Sequence, residues 1–223
     1  MNTDNTLSFS IRESIFEAAQ TLHQAGIPDS RREAGSLLQY VIDRDRTFII
    51  SHAEALITEE QSKSFHRCVQ RRAAGEPLQY ITGQQAFFGL DFEVNRDVLI
   101  PRPETEILVE IAATFLEGVK SAPFVCDVGT GSGCIAVALL DSNRRATAMA
   151  IDVSEAAIRV ARRNALRHSV ANRVTFVVAD CFRAMRAGER FDLVISNPPY
   201  VAGLALEGLQ REVRDHEPRV ALT

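Results

Sequence analysis

Phe124-Val125-Cys126-Asp127-Val128-Gly129-Thr130-Gly131-Ser132-Gly133-Cys134-Ile135 is the stretch on which the fold turns. Its first five residues are apolar except for Asp127 and too short a run for a helix, so they read as a buried strand. Glycines follow at alternate positions, and Ile135 to Leu140 begins a helix. Glycine lets the backbone turn sharply and approach a ligand with no Cβ in the way. The spacing differs from the G-x-G-x-x-G of a dinucleotide site, and no G-K-[ST] follows as in a phosphate-cradling loop. Alone, the motif leaves open a ligand cradle or a tight turn that holds nothing.

Outward from that loop the strand–helix alternation continues. Ala146 to Asp152 reads as a strand, and Ser154 caps a helix to about Arg167. Val174 to Ala179 and Phe191 to Ser196 read as two further strands. Such alternation implies right-handed crossovers and a parallel sheet. In open parallel sheets ligands lie outside the carboxyl ends of the strands. Asp152 stands at the second strand end, about 20 residues past the glycines, where a carboxylate can accept both hydroxyls of a ribose. Ser154 is the better helix cap, which frees Asp152. Asp180 ends the third strand, where it can accept from an adenine amino group, with Cys181 and Phe182 lining the ring. Glycines, Asp152 and Asp180 on successive strand ends point to a ribose–adenine ligand.

Asn197-Pro198-Pro199-Tyr200 follows the fourth strand. It falls beside the glycine loop if the first and fourth strands are neighbours. A Pro-Pro pair cannot continue a ladder and stiffens the turn, so its carbonyls are available to a substrate. The alternative for this turn is a rigid surface feature.

The amino-terminal part has a different rhythm. Ser10-Ile11-Arg12-Glu13 is a capping box with Gly26 as a stop. Ser30-Arg31-Arg32-Glu33 opens a helix through about Ile42, and Thr58-Glu59-Glu60-Gln61 opens another that ends near Gly75. One apolar stripe per helix implies a small bundle. Pro77 interrupts the pattern. Gln85-Ala86-Phe87-Phe88 and Asp91-Phe92-Glu93-Val94 then flank Gly89-Leu90 as a hairpin. Pro101-Arg102-Pro103-Glu104 starts a helix to about Gly118.

Together the strand-end residues resemble the Rossmann-like S-adenosylmethionine methyltransferases. N-P-P-Y narrows the resemblance to those that methylate planar nitrogens, either adenine amino groups or glutamine amides. The resemblance implies a cofactor site of Asp127, Gly129, Thr130, Gly131, Ser132, Gly133, Asp152, Asp180, Cys181, Phe182 and Asn197. It implies that Asn197, Pro198, Pro199 and Tyr200 hold the substrate and carry the catalysis. Asn197 Oδ1 and the Pro198 carbonyl would each accept one N–H of the acceptor nitrogen, and Tyr200 would stack on its plane. Catalysis would then be positioning and electrostatics, with no strong general base and no metal. S-adenosylhomocysteine would be the product.

Longer runs separate the substrates. Phe87-Phe88-Gly89-Leu90-Asp91-Phe92-Glu93-Val94 and Val98-Leu99-Ile100-Pro101-Arg102-Pro103-Glu104-Thr105-Glu106 look like the linker of the release-factor glutamine methyltransferases, the HemK or PrmC family. Arg71 to Ile81 and Glu212-Val213-Arg214-Asp215-His216-Glu217-Pro218 are also similar to that family. The implied substrate is the glutamine of a release factor's Gly-Gly-Gln loop, with the helical domain helping to hold that partner. A sister family acting on a ribosomal protein shares N-P-P-Y but usually lacks P-R-P-E-T-E. Adenine methyltransferases with N-P-P-Y normally carry a basic nucleic-acid-binding portion. A ligand-binding fragment without turnover is a further rival. Cys181 departs from the family, which often has an aromatic residue there. The family sheet also has more strands than can be counted before Thr223.

Composition agrees with this reading. The chain has 223 residues with 25 Lys and Arg, 29 Asp and Glu, and a net charge of −4. No basic excess supports binding to nucleic acid. No run of about 18 apolar residues suggests a membrane span, and the first thirty residues lack secretory-signal blocks. Cys68, Cys126, Cys134 and Cys181 form no C-x-x-C pair and are expected as reduced, mostly buried thiols of a cytoplasmic protein. The expected organisation is a helical bundle over 1–77, a hairpin linker over 78–102, and a C-terminally truncated α/β Rossmann-like methyltransferase domain over 103–223. The segment after Val201 shows helical spacing at Leu204, Leu206, Leu209 and Val213.

Overall fold

A computed structural model describes residues 9–184, 190–202 and 207–223. The chain divides into two compact units, Met1–Thr82 and Gly83–Thr223.

The first unit is helical. Helix α1 spans Ile11–Gln24, and its capping box forms as expected: Glu13 N–H donates to Ser10 Oγ, while Ser10 N–H donates to the Glu13 carboxylate. Helix α2 spans Ser30–Ile42 and starts from Asp29 in the left-handed region, with no side-chain cap. Helix α4 spans Glu59–Ala73 behind the Thr58–Gln61 capping box. Two short helices were not anticipated. Arg46–Ser51 forms α3, capped by Asp45, whose carboxylate accepts from Phe48 N–H at 2.8 Å. Leu78–Thr82 forms α5 directly after Pro77, whose carbonyl accepts from Tyr80 and Ile81. Pro77 falls after the end of α4, in the break expected there, and starts a further short helix. The stripes meet in a core around Leu22, Ala34, Leu37 and Leu38, all fully buried. Arg72 of α4 is 2% exposed and pairs with Glu33 of α2.

The second unit opens with an antiparallel hairpin, β1 at Gln84–Phe87 and β2 at Leu90–Glu93. Its two turn residues are Phe88 and Gly89, with φ of 51° and 73°. Two successive positive φ values match the twist of a tight hairpin. The turn thus sits one residue earlier than the expected Gly89-Leu90. Phe87 and Phe92 are buried and pack edge to face with centroids 6.0 Å apart. The hairpin is part of this unit's core rather than a free connection, whereas Leu78–Thr82 belongs to the first unit.

Helix α6 follows at Glu104–Glu117, then β3 at Phe124–Val128, α7 at Cys134–Ser142, β4 at Thr147–Asp152 and α8 at Glu155–Arg167. Strands β5 at Val174–Val178 and β6 at Leu193–Ser196 complete the described sheet, and the short α9 spans Arg211–His216. The strands lie in the order β5-β4-β3-β6, all parallel. Chain order reverses at β3, the kind of position where doubly wound sheets open a crevice. In register, Val128 faces Ile151 on one side and Ser196 on the other, so the three strand ends are level. Strand β6 begins two residues after the expected Phe191. Asp192 instead clamps the start of β3, its carboxylate accepting from Phe124 N–H at 2.8 Å. Helix α7 is apolar on nearly every side, and its residues Cys134 to Leu140 are all buried. Leu204 and Leu206 lie outside the described residues, and Val213 falls in α9. Among the described residues no helix is long and apolar enough to cross a membrane.

Candidate active site

A cavity of about 240 Å³ opens at the carboxyl ends of the parallel strands. The glycine loop after β3, Asp152 at the end of β4, Asp180 and Cys181 after β5, and Asn197 to Pro199 after β6 all line it. The fourth strand end is beside the glycine loop because β6 pairs with β3.

The three glycines have separate duties. Gly129 and Gly131 have φ of +73° and +56°, and a Cβ at either would meet no heavy atom within 4 Å. Both line the cavity, so their missing side chains leave it open. Gly129 and Thr130 N–H both donate to the Ile151 carbonyl. Gly133 has φ +81°, and a Cβ there would stand 3.0 Å from Ala161 Cβ of α8. It does not line the cavity. Gly133 serves helix packing and the turn into α7.

The acids also divide. Asp127 is fully buried and does not line the cavity. Its Oδ2 accepts from the Thr130 hydroxyl at 2.7 Å and from Ala136 N–H at 3.2 Å. Its Oδ1 is buried with no partner among the described residues. Burial pushes this carboxyl up to about 6, against the pull of those two donors. Asp127 pins the loop from behind. Asp152 lines the cavity but is not wholly free: Oδ2 accepts from Gly131 N–H at 2.8 Å and Oδ1 from Ser154 N–H at 2.9 Å. Ser154 does cap α8 through Ala157 N–H. Each Asp152 oxygen keeps a lone pair beyond its backbone partner. Asp180 is largely exposed and pairs with Arg183 at 3.3 Å. Cys181 lines the cavity with φ +48°, whereas Phe182 is half exposed and does not line it.

At the end of β6 the Ser196 hydroxyl donates to the Val128 carbonyl at 2.7 Å, tying the two strand ends. Asn197 Nδ2 donates to the Thr105 hydroxyl at 3.2 Å. Pro198 and Pro199 line the cavity, while Tyr200, the next residue, is 77% exposed and does not. Three supporting features escaped the sequence reading. Thr105 is buried in the first turn of α6 and lines the cavity. Asn164 of α8 is fully buried. Its Oδ1 accepts from Glu93 N–H at 2.7 Å, and its Nδ2 donates to the carbonyls of Glu93 and Ser132, linking hairpin and glycine loop. An Asn in mid-helix, a poor helix former, was the signal available for it. Arg102 pairs with the buried Glu217, whose carboxyl burial pushes up and Arg102 pulls back down. With the Val201 N–H to Leu222 carbonyl bond, that pair brings Val220 and Ala221 to the cavity lining.

This donor set fits S-adenosylmethionine. Carboxylates stand at two neighbouring strand ends, and backbone without Cβ faces the cavity between them and Asn197. Among the described residues no group of three or more His, Cys, Asp or Glu is gathered as for a metal.

Family models described as "PrmC N-terminal domain" and "Methyltransferase small domain" match residues 13–83 and 105–213. The release factor glutamine methyltransferase of Nitratidesulfovibrio vulgaris is 42% identical over 224 residues, covering 100% of this chain and 75% of the relative. Its counterpart in Geobacter sulfurreducens is 40% identical, covering 99% of this chain and 75% of the relative. The one in Bordetella pertussis is also 40% identical, covering 91% and 73%. Identity of this extent runs through the helical unit and the sheet unit alike, and the chain belongs to the release factor glutamine methyltransferase family.

Proposed function

We propose that this chain transfers a methyl group from S-adenosylmethionine to the side-chain amide nitrogen of a glutamine, that of the Gly-Gly-Gln loop of a peptide chain release factor. The observation that carries the reading is the meeting of Asn197 and Pro198 with the glycine loop and Asp152 in one cavity. When bound, the cofactor supplies an electrophilic methyl on a sulfonium. Asp152 would hold the ribose hydroxyls, Asp180 and Cys181 the adenine, and the Gly129–Gly131 backbone would admit the remainder.

An amide nitrogen is a poor nucleophile because its lone pair is delocalised. Asn197 Oδ1 and the Pro198 carbonyl can each take one of its N–H groups. That fixes the nitrogen in place and stabilises positive charge as it grows there. The methylated nitrogen then releases its proton late, so no side chain of general-base strength is needed. Tyr200, exposed beside the lining Pro199, can cover the amide plane of an incoming loop. The release factor is the proposed partner, and its compartment, the cytoplasm, the proposed location. Contacts to nucleic acid or metal form no part of the reading.

The test pairs binding with turnover. S-adenosylhomocysteine should bind in calorimetric titration and NAD should not. Asn197→Ala should lose about 100-fold in amide methylation, far more than it loses in that affinity, as befits a positioning group. Full turnover in Asn197→Ala, or binding of NAD alone, contradicts the proposal.

A further inference from the structure

We infer that Thr105 is a positioning residue for Asn197, holding its amide so that Oδ1 is the atom presented to the acceptor nitrogen. This rests on the reading of Asn197 given above. An Asn side chain ends in two groups of nearly equal shape and opposite polarity. Only Oδ1 can accept, and the acceptor nitrogen of a glutamine amide has only N–H to offer. If Nδ2 faced the glutamine, donor would meet donor. The terminal torsion of Asn is broad and has no strong preference of its own, so a partner must set it.

Thr105 is that partner. Its hydroxyl accepts from Asn197 Nδ2 across 92 positions of chain. Both residues line the cavity, and Thr105 is only 8% exposed. Each end of the bond is anchored in regular structure. Thr105 sits in the first turn of α6, its N–H donating to the Arg102 carbonyl at 3.0 Å, and a β-branched side chain in a helix has few rotamers. Asn197 follows β6, fixed through Ser196 to the end of β3. With the Thr105 hydroxyl accepting from Nδ2, Oδ1 is left for the acceptor nitrogen, and the partner that holds the amide this way comes from α6, an element from before the sheet in sequence.

The experiment compares Thr105→Val, Thr105→Ser, Asn197→Ala and the Thr105→Val/Asn197→Ala double variant of the full chain. Each is assayed by steady-state methylation of a release factor, with titration of S-adenosylhomocysteine alongside. Valine keeps the shape of threonine and removes the hydroxyl. Thr105→Val should lower kcat about tenfold, the worth of one hydrogen bond, with KM and S-adenosylhomocysteine affinity within about twofold of the parent. Thr105→Ser should restore kcat. The double variant should be no slower than Asn197→Ala alone, because Thr105 acts through Asn197. Parental kcat in Thr105→Val beside a crippled Asn197→Ala overturns the inference and leaves the proposed function standing. So does a further tenfold loss in the double variant, or a Thr105→Val defect that follows cofactor affinity. Parental turnover in Asn197→Ala removes the underlying site reading first, and the inference with it.

Discussion

Gly133 and Gly131 are two residues apart, and alanine at each should fail for a different reason. At Gly133 the added Cβ lies 3.0 Å from Ala161 Cβ and 3.2 Å from Ala161 Cα, with φ at +81°. Backbone and a short side chain cannot yield there without moving α7 from α8. The left-handed conformation costs an alanine about 1 kcal/mol, and overpacking adds about 1–3 kcal/mol. The sum, about 3 kcal/mol, corresponds to a fall of about 6–12 °C in Tm for a chain of this size. At Gly131 the φ of +56° costs a similar strain, but the Cβ meets nothing within 4 Å and enters the cavity. Gly131→Ala should lose only about 2–4 °C in Tm, while S-adenosylhomocysteine affinity falls by about tenfold or more through crowding of the ligand. Calorimetric melts without ligand, followed by titration of each folded variant, separate the two effects. A Gly133→Ala protein that melts with the parent, or a Gly131→Ala protein that binds as the parent does, refutes this division of labour.

Two further outcomes follow from buried charge. Asp127 is raised from 3.8 to about 6, so it binds its proton more tightly folded than unfolded. Stability from this group is highest at low pH, falls as pH rises from 3.8 towards 6, and stays lost above, by about 3 kcal/mol. Asp127→Asn should therefore shrink the difference in Tm between about pH 4.5 and about pH 8 relative to the parent; identical pH profiles would mean that the carboxylate is not penalised by burial. In the helical unit, Glu33→Ala removes one carboxylate from the buried Arg72, whose Nη1 still donates to the Glu76 carbonyl, and should cost about 3 kcal/mol by denaturant titration. Glu33→Gln, which keeps the shape and an acceptor, should cost less; equal losses would show that the charge alone matters there.

Local signals were legible because their causes are local. The Ser10 and Thr58 capping boxes, the Ser154 cap and the glycine loop each depend on a few neighbouring residues, and each stands where the chain announces it. The order β5-β4-β3-β6 confirms the adjacency on which the Asn197 reading depended. What escaped notice depends on tertiary partners. Helices α3 and α5 have six and five residues, too short for a periodic stripe. Asp127 is expected beside Asp152 in the cofactor site, yet it faces Thr130 and Ala136 rather than the cavity, a distinction that only burial makes. The carboxylate of Asp152 shares itself with Gly131 and Ser154 because the sheet brings those N–H groups to it. Phe182 and Tyr200 stand outside the cavity lining although they adjoin residues within it. Thr105 and Asn164 gain their meaning from partners 92 and 71 positions away.

Glutamine methylation at the Asn197 cavity can be read out by incubating this chain with S-adenosylmethionine and an unmodified release factor, then sequencing the Gly-Gly-Gln peptide by tandem mass spectrometry. One added methyl group should appear on the glutamine side chain, absent when that glutamine is replaced and strongly reduced with Asn197→Ala. A methyl group found elsewhere on the release factor, or an equal yield from the Asn197→Ala chain, would contradict it.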